Sequence, residues 1–373
     1  MKKVIFISAL AIAAAVSCTK SDIVDTKFNE AITFENYLGR DAQTKAAVAG
    51  ADAMQSADIY DGFKVFGFYT GSETYNQTQT PANLMDGVHV TYSTDKSQWV
   101  YSPAKYWTNA DDRYTFLAYS PASLTSSKED GEETVNPTVD FTVNSIVKNQ
   151  VEFLYSNTNK NVTKDNGGAK LTFKHGLSRI TVKAFENVGD YDYTIYGVTL
   201  AGAFNTTGTF NLADGKWSAT STPATEPYVI KEYKKDENNK PLEGVDVPDT
   251  TPVEGQTAKT PHNFAGSDNY LMVIPSGFTT EEATEVEVTL NVTYTTTYAG
   301  FESEPMTKPV TFKSKFVQGM AYSLNLEFVP NTDNEIIFTV DVALWDTVNN
   351  NNTPEDPSDD TTTETPVTGE IEA

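Results

Sequence analysis

The sequence predicts an all-β protein assembled from antiparallel sandwiches. Apolar and polar residues alternate with a period of two along many short runs, and those runs are bounded by Gly, Pro, Asn or Asp. The three-and-four spacing of an amphipathic helix is scarce, its best case being the weak stretch "TKAAVAGADAMQSA". Many short strands with turns between them pack most readily as sheet on sheet.

Taken in order, the chain opens with a leader. Lys2 and Lys3 precede an apolar stretch from Val4 to Val16, and small residues lead into Cys18, the single cysteine of 373 residues. The stretch is too short to span a bilayer, so residues 1–17 read as a secretory signal peptide. The run "AVSC" resembles a bacterial lipobox, in which cleavage precedes the cysteine and its thiol is acylated; Cys18 is therefore the expected lipidation site. Two or three acyl chains hold a protein firmly where one does not, so the mature chain is expected to be anchored to a membrane rather than embedded in it.

Residues 18–45 form an N-terminal segment with one strand-like run, "EAITFENYL", whose Ile32 and Phe34 fall on one side. Arg40 and Lys45 follow in polar, small-residue surroundings open to a trypsin-like protease, which makes them candidate sites of proteolytic maturation. Strand-like alternation then recurs in "FKVFGFYTG", "RYTFLAYSP", "LSRITVKAF", "TEVEVTLNVTY" and "AYSLNLEF". In "TEVEVTLNVTY" it is cleanest, with Val286, Val288, Leu290, Val292 and Tyr294 on one face. Late in the chain "EIIFTVDVALW" places Ile336, Phe338, Val340, Val342 and Leu344 in one apolar row. That row suits either a strand of its own domain or a strand donated to another molecule.

Three polar stretches read as connections: "SSKEDGEETVNPT", "NTNKNVTKDNGG" and the long charged run from Lys231 to Asn263. The second ends in Gly167 and Gly168 and is the expected junction. The mature length exceeds what one core usually serves, so two sandwich domains are expected at 46–168 and 169–348. Residues 349–373 complete an acidic tail: beyond Trp345 the chain carries eight acidic residues and no basic one, and it reads as disordered or extended.

Charge and motifs exclude several classes. Lys and Arg total 27 against 51 acidic residues, a net of −24, which would repel a phosphate backbone and argues against nucleic acid as a partner. His89, His175 and His262 lie far apart with no metal-ligand spacing, so no metal or cofactor is expected. His175 and Ser178 sit in one strand-like run where i and i+3 face opposite sides, which disfavours a nucleophile–base pair. No nucleophile elbow, phosphate loop or dinucleotide fingerprint occurs, and no enzyme is expected.

Several of these runs together resemble the fimbrillin-like pilins of Gram-negative anaerobes, lipoproteins that build type V pili. The resemblance is carried, in order, by "AVSC", "ITFENY" with the "TKA" of Thr44 to Ala46, "GFKVFGFYTG", "YWTNADDRYTFLAYSP", "LTFKHGLSRITVKAF", "YLMVIPSG" and "FVQGMAYSLNLEF". It implies two transthyretin-like sandwich domains in tandem, a lipid anchor in the outer membrane, and surface exposure. It further implies proteolytic trimming and assembly with other pilin subunits by strand exchange, in support of adhesion. A sandwich lacking a strand exposes an apolar trough and unpaired backbone, and a donated strand supplies both. The alternative expectation is a non-polymerising surface lipoprotein that binds a glycan or a host molecule, suggested by an aromatic content of 12%.

Overall fold

The computed structural model describes residues 30–38, 54–55, 60–127, 133–165, 168–186, 191–219, 223–250, 261–264, 270–329 and 336–345. Strands dominate. The N-terminal half carries β1 (Glu35–Leu38), β2 (Phe63–Gly71), β3 (Met85–Ser93), β4 (Gln98–Val100), β5 (Arg113–Ser120), β6 (Thr138–Thr142), β7 (Leu154–Val162) and β8 (Lys170–His175). The C-terminal half begins with β9 (Ser178–Glu186), β10 (Tyr191–Gly202), β11 (Thr207–Asn211), β12 (Lys216–Ala219) and β13 (Tyr228–Lys231). Short pieces follow: β14 (Lys234–Lys235), β15 (Pro241–Leu242), β16 (Val245–Asp246), β17 (His262–Asn263) and β18 (Leu271–Val273). The chain closes with β19 (Glu285–Tyr298), β20 (Phe301–Glu302), β21 (Met306–Lys315), β22 (Met320–Phe328) and β23 (Ile336–Leu344). Among the described residues the helical content is the 3₁₀ turn Val147–Asn149 and the 3₁₀ residue Trp345 directly after β23.

Seven strands of the N-terminal half form one sheet in the order β1-β8-β7-β5-β2-β3-β4, antiparallel except where β1 runs parallel to β8. "RYTFLAYSP" reads as a strand with one buried face, but β5 is buried on both. Tyr114, Phe116 and Ala118 enter one apolar cluster and Leu117 and Tyr119 another, because the sheet is covered on each side. Each alternate row then has its own core to fill, so the polar row that a solvated face would require is absent.

In the C-terminal half, β10 and β19 anchor a sheet with β13, β16, β20 and β21, and β9 and β22 anchor a second with β17, β18 and β23. Their apolar rows meet face to face. Phe312 of the first lies 4.5 Å from Phe338 of the second, and Tyr193 lies 4.9 Å from Phe328. This is the sandwich that alternation predicts.

Three connections read from the sequence are more structured than expected. "NTNKNVTKDNGG" supplies the second half of β7, and "SSKEDGEETVNPT" leads directly into β6. The charged run after Lys231 contains the hairpin β14–β15, and its β16 and β17 pair with β10 and β9. Hydrogen bonds to a sheet edge need no apolar pattern, which is why composition alone marks these stretches as loops. The run "LTFKHGLSRITVKAF" is two strands, β8 and β9, which belong to different sheets. The turn at Gly176–Leu177 separates them, although the sequence places β8 beyond the expected junction at residue 168.

The halves are bound together by β6, which pairs with β11 and so forms a sheet β12-β11-β6 across them. One apolar cluster runs from Phe66, Leu117 and Phe153 through Phe210 to Leu290 and Leu326.

Candidate functional site: a strand held in an edge trough

Residues 30–38 fill a trough at the edge of the seven-stranded sheet. Their first part pairs with the loop after β4: the Ile32 amide donates to the Lys105 carbonyl at 2.8 Å, and the Trp107 amide donates to Glu30 at 3.1 Å. The second part lies along β8, with Glu35 opposite Lys170 and Leu38 opposite Phe173. The Tyr101 hydroxyl also donates to the Ile32 carbonyl at 2.8 Å.

Alternation aims Ile32 and Phe34 inward, and they are 1% and 5% exposed. Phe34 meets Phe63 and Phe116 edge-on at 6.0 and 5.6 Å and Tyr101 at 5.6 Å. Trp107 closes the far end against Tyr114 at 4.7 Å. Burying two such side chains stabilises the chain by about 3–6 kcal/mol gross. At the rim Lys164 pairs with Glu30 at 2.8 Å and Lys170 approaches Glu35 at 4.0 Å. Removing residues 30–38 would leave an aromatic floor, the free edge of β8, and the Lys105 carbonyl and Trp107 amide without their partners on that segment.

Cys18, Arg40 and Lys45 lie outside the described residues; in sequence, Arg40 comes two positions after the end of β1. The run Ile336–Leu344 is β23, the edge strand of its sheet, paired antiparallel with β22 of the same molecule from Phe328↔Ile336 to Met320↔Leu344. Ile336, Phe338 and Val340 are buried and Val342 is half-buried. In this molecule the strand is therefore paired within its own chain.

The C-terminal end of β23 is clamped. Trp345 stacks on His175 at 4.2 Å, and Tyr270 meets it edge-on at 5.6 Å. His175 Nδ1 bonds the buried Glu152 carboxylate, and the Arg179 guanidinium lies 3.9 Å from the Tyr270 ring centre. Burial pulls the Arg179 pKa below its ordinary value, and the nearby Tyr270 and Glu152 oppose that shift. His175 is thus engaged by Glu152 and Trp345, while the Ser178 hydroxyl donates to the Val317 carbonyl at 2.7 Å.

The alternation of Ile32 and Phe34 is visible in the sequence, but the trough partners Tyr101, Lys105 and Trp107 are not. Their only signal is the aromatic cluster in "YSPAKYWTN".

A family model described as "Fimbrillin-like" matches residues 51–345. The chain is 30% identical over 87 residues to "Fimbrium subunit Fim1C" of Phocaeicola vulgatus, a match spanning 22% of each. The fold is similar to that of a fimbrial protein from Bacteroides vulgatus known from a crystal structure. The TM-score is 0.65 at 17% identity, over 84% of this chain and 99% of that one.

Proposed function

The chain belongs to the fimbrillin-like family, which comprises fimbrial structural and adhesion proteins rather than enzymes, and from that premise we propose that it is a subunit polymerising by strand exchange. The acceptor is the trough vacated when the N-terminal segment from Cys18 is cut away after Arg40 or Lys45. The donor is β23 of a neighbouring subunit. One observation carries this reading: β1 and its approach present Ile32-x-Phe34 to the trough, and β23 offers the same spacing as Ile336-x-Phe338. A strand with the same two side chains two positions apart can fill the same floor and satisfy the same edge.

As an edge strand, β23 has one sheet neighbour, so its release breaks a single ladder. Because donor and acceptor lie on different parts of each subunit, the contact runs head to tail and yields a filament. Cys18 would hold the untrimmed precursor at the outer membrane, and trimming would release it into a fimbrium at the cell surface, with other fimbrial subunits as partners.

Labelling with a fatty acid and N-terminal sequencing of shed fibres test the sequence of events together. The precursor should carry label that Cys18→Ala abolishes, and fibres should begin just after Arg40 or Lys45. Fibre subunits beginning at Cys18 or Thr19 would overturn the proposal.

A further inference from the structure

A second feature lies in the C-terminal half and shares no residue with the trough or β23. It is a cleft of about 440 Å³ between the β11–β12 hairpin, the loop after β18 and the turn before β22. That volume lies within the range of small-molecule sites. Its walls alternate between rings and polar groups. Trp217 is half-buried, and Phe278, at the mouth, is 38% exposed.

The charges in the wall cancel. Lys216 and Glu282 are the charged residues of the lining, and they pair at 2.9 Å, with the Lys216 ammonium 5.2 Å from the Phe278 ring centre. No unpaired charge of this lining is left to select an acid or an amine. Asn205, Thr207, Ser218 and Thr284 place neutral polar residues in the lining instead. Gln318 Nε2 donates to the Tyr155 hydroxyl at 2.9 Å and to the Gly215 carbonyl at 3.0 Å, which ties the turn before β22 to the β11–β12 hairpin.

The loop carrying Phe278 is already built. The Ser276 amide donates to Phe316 and the Ala283 amide to Thr279, each at 2.8 Å, and a Cβ on Gly277 would lie 2.3 Å from the Ala283 Cα. A rigid mouth with aromatic faces, neutral polar residues in the wall and no net charge matches a molecule with an apolar C–H face and a hydroxyl rim.

We propose that this cleft binds a neutral saccharide, with Phe278 and Trp217 against the ring face and the neutral polar residues of the lining facing its hydroxyls. The site is independent of polymerisation and would give a fimbrial subunit an adhesive contact of its own.

Saturation-transfer NMR on the purified chain with lactose, maltose and N,N′-diacetylchitobiose tests it. At least one should show transfer at millimolar concentration. Phe278→Ala and Phe278→Leu should each weaken that binding about fivefold or more, the second keeping apolar packing while removing the ring. Phe301→Ala, which removes an 81% exposed ring outside the cleft, should change nothing. Transfer to none of the three sugars, undiminished binding by both Phe278 variants, or equal weakening by Phe301→Ala would overturn the proposal.

Discussion

Phe34 carries the trough at the scale of single residues. Its ring touches Phe63, Tyr101 and Phe116, strands and loops that are distant in sequence, and it is almost wholly buried. Phe34→Ala in the uncut chain should cost about 3–5 kcal/mol, read as a lower urea midpoint with an unchanged slope. A midpoint within error of wild type would mean that residues 30–38 lie loosely on the surface. Gly176 acts in the opposite sense, by leaving room. A Cβ there would sit 2.4 Å from the Phe153 ring, which is fully buried and wedged against Phe210 and Trp217. Only glycine lets the chain turn from β8 into β9 at that point. The sequence displays this glycine but not the ring behind it, since Phe153 lies more than twenty positions away.

Among the elements, those with a clean apolar row were legible and those defined by pairing were not. The alternation of β19, β22 and β23 predicts strands, and the structure buries Val288 to Tyr294, Tyr322 to Phe328 and Ile336 to Val340 of their apolar rows. The polar end of β7 and the two-residue strands β14 to β17 are held by backbone hydrogen bonds, which leave no mark on composition. β23 is the element on which the proposed assembly turns. A chain lacking residues 346–373 should still polymerise after trimming, because β23 and its Ile336-x-Phe338 pair remain. Size-exclusion chromatography that finds only monomer would move the donor into the acidic tail. A chain lacking 336–373 should accept a strand from intact subunits yet donate none, and so should cap their growth.

Across the whole molecule, the sequence suggests two domains while the packing joins its halves. β6 pairs with β11, and the contacts of Phe210 with Phe153 at 4.9 Å and Tyr155 at 4.6 Å belong to a cluster extending into the C-terminal sandwich. Halves sharing a sheet and a core should lose them together. Calorimetry of the uncut chain should therefore give one cooperative transition, with calorimetric and van't Hoff enthalpies in agreement. Two resolved transitions would show that the halves fold separately. β6 follows directly after a polar stretch whose charge and turn residues resemble a linker, so composition does not announce its pairing with β11.

The acceptor trough is the central claim, and a controlled cut tests it most directly. A site for a sequence-specific protease placed between Arg40 and Lys45 allows the folded monomer to be purified first and cut afterwards. Electron microscopy and gel analysis then follow the cut sample. The account predicts that residues 30–38 leave as a free fragment while filaments and a detergent-resistant ladder appear. A nicked monomer that keeps its fragment and never assembles would contradict it.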